Sequence, residues 1–160
     1  MGSLSETDVR TPSAVMLIGI PASGKSTFYK QRLFDSHLRI NPDQLRSHHR
    51  EHALLEACLA TQVSFVVDNT NATRIVRSRI VDLARSAGFR VIGYYFRSKL
   101  TEALQRNHLR DRHARMPVKG VLGISGQLER PSPAEGFDEL WYVRMDGQGG
   151  FVVDQWGKNP

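Results

Sequence analysis

The stretch from Ala14 to Thr27 constrains this chain more than any other. Ala14–Ile20 is an unbroken apolar run, the pattern of a strand buried on both faces. Out of it comes Gly19-Ile20-Pro21-Ala22-Ser23-Gly24-Lys25-Ser26-Thr27, which satisfies G-x-x-x-x-G-K-[ST] between a strand and a helix, Gly24–Leu33. Glycines let the backbone bend until several N–H groups converge on an anion. The helix N-terminus adds partial positive charge at the same point. Gly19, Pro21, Ala22, Ser23, Gly24, Lys25, Ser26 and Thr27 therefore predict a phosphate cradle for ATP. Lys25 would reach the β- and γ-phosphates, and the Ser26 hydroxyl would face Mg2+.

The remaining pattern alternates strand and helix, which calls for a parallel sheet covered on both faces. Strands are expected at His37–Ile40, Val63–Asp68 and Phe89–Phe96, and two more at Trp141–Met145 and Gly150–Val153 around an Asp-Gly turn. Helices are expected from Pro42 to about Ala60, over Thr73–Ala87 with Gly88 as stop, over the basic segment Leu100–Ala114, and over Met116–Leu128. The fold class is α/β, a three-layer sandwich with a central parallel sheet of four or five strands and a helical lid bearing arginines. A polar tail at 1–12 would precede a kinase-sized domain at 13–156, within a chain of 160 residues.

Composition narrows the setting. Cys58 is the single cysteine, so an internal disulfide or a cysteine-rich zinc site is excluded and a reducing, cytoplasmic setting is expected. Its neighbours Leu54, Leu55 and Leu59 place it in the core. No run is long and apolar enough for a membrane helix. The net charge of +6 suits polyanionic partners but serves equally as solubilising surface charge. The histidines, with His48 and His49 adjacent, suggest polar surface rather than a metal set.

In open α/β sheets the reacting groups gather beyond the carboxyl ends of the strands. Asp68 closes one strand and can hold Mg2+ directly, through water, or by bonding Ser26. It also suits a helix cap, within the cap-rich Asp68-Asn69-Thr70-Asn71. Asp43 follows another strand and can take a proton from an attacking hydroxyl, although the first turn of a helix favours an acid there regardless. Arg106 and Arg110 lie four apart on the expected basic helix, where two cations on one face want an anion opposite them. A solvated face is the plainer account of that run, and more so for Arg112 and Arg115.

Taken together, these segments resemble the kinase module of polynucleotide 5′-hydroxyl kinases. The likeness rests on Gly19–Thr27, Asn41-Pro42-Asp43-Gln44-Leu45-Arg46, Val67-Asp68-Asn69-Thr70-Asn71, Arg106-Asn107 with Arg110 and Met116-Pro117-Val118, and Pro131-Ser132-Pro133-Ala134-Glu135-Gly136-Phe137. It implies that Asp43 is the general base, that Arg46 contacts the acceptor phosphate, and that Arg110 is a lid arginine on the donor phosphate. Asp68 would support the site. Asn69 and Arg74, or Arg77, would help hold the acceptor. Pro42 departs from the family, whose better-known members carry arginine there, and removes one cation near the acceptor. The resemblance implies nucleic-acid 5′ ends as substrate, with end-healing or ligase proteins as partners. A small-molecule kinase acting on a sugar, nucleoside or antibiotic hydroxyl, and a nucleotide-binding switch that makes no phosphorylated product, are the rival readings.

Overall fold

A computed structural model describes residues 10–157, so the part of the expected tail at 1–9 lies outside the described residues. The apolar runs become strands of one six-stranded sheet, in the order β2-β3-β1-β4-β5-β6. These are β1 (Ser13–Ile18), β2 (Leu38–Ile40), β3 (Phe65–Asp68), β4 (Arg90–Phe96), β5 (Glu139–Met145) and β6 (Phe151–Gln155). Neighbours from β2 to β5 run parallel, and β6 returns antiparallel to β5. Five strands thus form the expected parallel sheet, and the final hairpin adds β6 to its edge as an antiparallel sixth. Asp146 builds that hairpin's turn, its carboxylate accepting from the N–H groups of Gln148 and Gly150.

Side-chain alternation along β1 divides the core. Ala14, Met16 and Ile18 pack with Ile40, Leu55, Cys58, Phe65, Val67, Val81 and Ala84, beneath α3 (His48–Thr61) and α4 (Arg74–Ser86). Val15 and Leu17 face the other way, onto Phe28, Tyr29, Phe96, Val143 and Phe151, beneath α1 (Lys25–Arg32). Both faces are buried, as a parallel sheet requires. Cys58 is buried as expected. Among the described residues no helix is long and apolar enough to cross a membrane.

Several boundaries differ from expectation for local reasons. The helix expected from Pro42 to Ala60 is two: α2 (Pro42–Leu45) and α3, broken at Arg46 and Ser47. Asn41 caps α2 by accepting from the Gln44 N–H, Arg46 turns left-handed at φ 62°, and Ser47 caps α3 by accepting from the Arg50 N–H. A serine oxygen that serves a free helix N–H is more stabilising there than inside a helix. The basic helix, α5 (Leu100–Leu109), stops short of Ala114, and Arg110 is extended. The cause is Asn107, whose buried amide donates to the Met116 carbonyl and accepts from its N–H. That clasp closes the 110–116 loop before α6 (Val118–Gln127).

Candidate active site

The loop after β1 is tied down on both sides. The Gly19 N–H donates to the Thr70 carbonyl at 3.1 Å, joining it to the segment that follows β3. Gly24 caps α1 at φ 100°, and a Cβ there would sit 2.6 Å from Met145 Cε. Only glycine combines that left-handed backbone with so little room. The first-turn N–H groups of α1 have no acceptors within the helix, so they offer the anion site that the motif calls for.

Lys25 is buried within this loop. Its Nζ donates to the carbonyls of Gly19 (2.8 Å) and Ile20 (2.7 Å), with Ser23 Oγ at 3.4 Å. Burial pulls its pKa down to about 7; Asp68 opposes that shift and Arg110 adds to it. An anionic phosphate would restore the charge that burial disfavours.

Beside Lys25, Ser26 Oγ donates to Asp68 Oδ2 at 3.1 Å. Asp68 is buried, and its backbone carbonyl accepts from the Asn41 amide at 2.9 Å. The hydroxyl and carboxylate together are hard oxygen donors. They suit magnesium, which takes one or two protein oxygens and completes its shell with phosphate oxygens and water. Among the described residues no cluster of three or more His, Cys, Asp or Glu could hold a metal by itself.

One cavity of about 1010 Å³ collects most of the expected residues: Pro21, Ala22, Lys25, Ser26, Asp43, Arg46, Asp68, Asn69 and Arg110. Asp43 and Arg46 enter it from the two ends of α2, both exposed. Gly19, Ser23, Gly24 and Thr27 belong to the loop behind them. Arg106 reaches back from α5, its Nε donating to the Ala22 carbonyl at 2.6 Å. Since Arg110 has left the helix, the two arginines approach the loop by different routes rather than from one helix face. Arg115 also borders the cavity, and its guanidinium donates to the His108 carbonyl at 2.6 Å. A separate, mostly apolar cavity of about 550 Å³ between α3 and α4 contains none of the expected site residues.

Two arginines lie apart from the cavity. Arg77, the alternative to Arg74 for holding the acceptor, has a fully buried side chain paired with Glu135 at 2.8 Å. Arg74 is exposed at the start of α4, with its N–H held by Glu129, and it does not border the cavity.

Sequence reading also missed a residue at the centre of the site. Arg39 donates from Nε to Asp68 Oδ2 at 2.8 Å and from Nη2 to Ser26 Oγ at 3.0 Å. The signal was present: Arg39 is a charge inside the three-residue strand β2, where the alternation aims it away from the apolar face that Ile40 joins.

Comparison with known proteins follows the same lines. Residues 39–122 match the AAA domain family. This chain belongs to that family. The phosphate loop Gly19–Thr27 lies ahead of the matched segment, on the sheet of order β2-β3-β1-β4-β5-β6. A segment of 131 residues is 29% identical to a bifunctional polynucleotide phosphatase/kinase of Schizosaccharomyces pombe, covering 79% of this chain and 32% of that protein. This chain thus spans about a third of that relative's length. A fungal RNA kinase shares its fold with TM-score 0.63 at 17% identity, over 84% of this chain and 39% of that one. So does a gluconokinase of Sinorhizobium meliloti, with TM-score 0.60 at 19% identity, over 86% and 85%.

Proposed function

We propose that this domain transfers the γ-phosphate of ATP to the 5′-hydroxyl of a DNA or RNA strand. One observation carries the reading: Asp43 opens into the same cavity as Lys25 and Arg110. A hydroxyl placed there has a proton acceptor on one side and the phosphate-facing cations on the other. Asp43 takes the hydroxyl proton as its oxygen attacks in line. Lys25 and Arg110 stabilise the charge on the moving phosphoryl group. Arg106 steadies the loop through Ala22. Ser26 and Asp68 would hold magnesium, which would supply positive charge for the phosphate oxygens. Arg46 and Asn69, which border the cavity, would hold the acceptor, Arg46 through the strand's first phosphate.

Nucleic acid is favoured by the cavity's charge. Lys30, Arg39, Arg46, Arg110 and Arg115 border it, against Asp43 and Asp68. The named activity of the Schizosaccharomyces pombe relative supports the same acceptor. Binding of a strand would then weaken steeply with salt. A 5′-phosphate is what strand joining requires, so end-healing and ligase proteins are the partners that this reading implies. Pro42 and the fold shared with a gluconokinase favour a second reading, transfer to a sugar or nucleoside hydroxyl.

The test is transfer of label from γ-labelled ATP to a 5′-hydroxyl oligonucleotide. Wild type should label the strand, and Asp43→Asn should lose at least about a hundredfold, the usual contribution of a general base, while still binding ATP. No label from a wild type that binds ATP would move the acceptor to a small molecule. An Asp43→Asn enzyme of full activity would remove Asp43 from the mechanism.

A further inference from the structure

The two oxygens suited to magnesium already share a cation. Arg39 contacts Asp68 Oδ2 through both Nε (2.8 Å) and Nη2 (2.7 Å). Nη2 also donates to Ser26 Oγ at 3.0 Å, while Ser26 donates its proton to the same Oδ2 at 3.1 Å. The three groups close a ring centred on one carboxylate oxygen. Arg39 is mostly buried, with 17% of its side chain exposed, and its guanidinium lies 5.4 Å from the centre of the Tyr29 ring. It borders the cavity, so ligand charge there reaches it with little screening.

This arrangement conflicts with a metal at the same oxygens. A hydroxyl has one proton and two lone pairs. Ser26 gives the proton to Asp68 and accepts from Arg39 with one lone pair. A dication bound to Ser26 Oγ and Asp68 would stand within a few ångströms of the guanidinium, at a partly buried point where repulsion is strong.

We propose that Arg39 is the resident counter-cation of the Ser26–Asp68 pair: it holds both groups in place and is displaced from them when magnesium arrives with nucleotide. The inference rests on the loop as a nucleotide site and is independent of the acceptor. Without magnesium, Arg39 shields the triphosphate from the Asp68 carboxylate. With magnesium, that shield is redundant and its release opposes binding. Removing Arg39 therefore weakens binding in one medium and spares or tightens it in the other. An arginine that simply contacts phosphate would be missed equally in both.

Calorimetric titration of ATP into the full chain, in EDTA and in excess MgCl2, separates these cases. In EDTA, Arg39→Gln should bind about tenfold more weakly than wild type, the size of one partly buried charge contact. In MgCl2 it should bind equally well or more tightly. Arg39→Lys keeps the charge and should restore most of the binding lost in EDTA. Equal weakening of Arg39→Gln in the two media, or no change in either, would overturn the proposal. Wild type also provides a test that no folding defect can obscure. The Arg39 Nε–H resonance, protected by Asp68, should persist with ATP in EDTA and be lost to solvent exchange with ATP and magnesium. Persistence in both media would likewise overturn it. A wild type that binds ATP in neither medium would instead refute the nucleotide site, and this inference with it.

Discussion

Replacing Arg77 with alanine should cost this domain much of its stability. The Arg77 guanidinium meets the Glu135 carboxylate at two points, Nε to Oε1 at 2.8 Å and Nη2 to Oε2 at 3.2 Å. Its Nη1 donates to the carbonyls of Asn71, Ala72 and Glu129 at 2.9, 3.1 and 3.0 Å. One side chain thus binds α4, the segment after Asp68 and the chain returning from the lid. The side chains of Arg77 and Glu135 are 0% and 3% exposed. Arg77→Ala strands the Glu135 charge, and breaking such a buried pair costs about 3–5 kcal/mol. For a domain of this size that lowers the melting temperature by roughly 10 °C. Urea unfolding followed by the fluorescence of Trp141 and Trp156 measures it. Arg77→Met combined with Glu135→Leu removes the stranded charge and should recover part of the loss, while the carbonyls of Asn71, Ala72 and Glu129 stay without their donor. A single Arg77→Ala variant within about 1 kcal/mol of wild type, the scale of an exposed pair, would refute the argument.

Two further predictions follow from the loop. Lys25 has a folded pKa near 7 against 10.5 for the ordinary lysine. Its burial penalty is therefore full below pH 7 and fades as pH rises through 7 toward 10.5. Lys25→Met should accordingly be more stable than wild type at pH 6, with the gap roughly halved at pH 9 in urea titrations; a gap independent of pH would contradict this. Gly24→Ala should lose about 1–3 kcal/mol through overpacking against Met145 and Phe151 and weaken ATP binding in the same calorimetric assay. Unchanged stability and affinity would show that the left-handed turn is not required.

The legible parts of this protein were those with local causes. Ala14–Ile20 declared a buried strand because both faces needed apolar cover, and Gly19–Thr27 declared a phosphate loop because each residue type answers a requirement of the backbone. Asp43, Arg46, Asp68 and Arg110 could be nominated from their places after strands or on a basic segment. Even the break at Ser47 carried a local signal, a serine ahead of a helical run, that a single long helix passed over.

What the sequence determined by itself, then, was the fold class, the loop and the roster of charged residues near it. Tertiary structure decided which charges meet. Arg39 and Arg77 are chemically identical, yet one faces the cavity with Ser26 and Asp68 while the other is sealed against Glu135, 58 residues away along the chain. No local pattern encodes such a pairing. It depends on which strand ends and helix faces the sheet order brings together, and a buried charge survives only where that order also brings its partner.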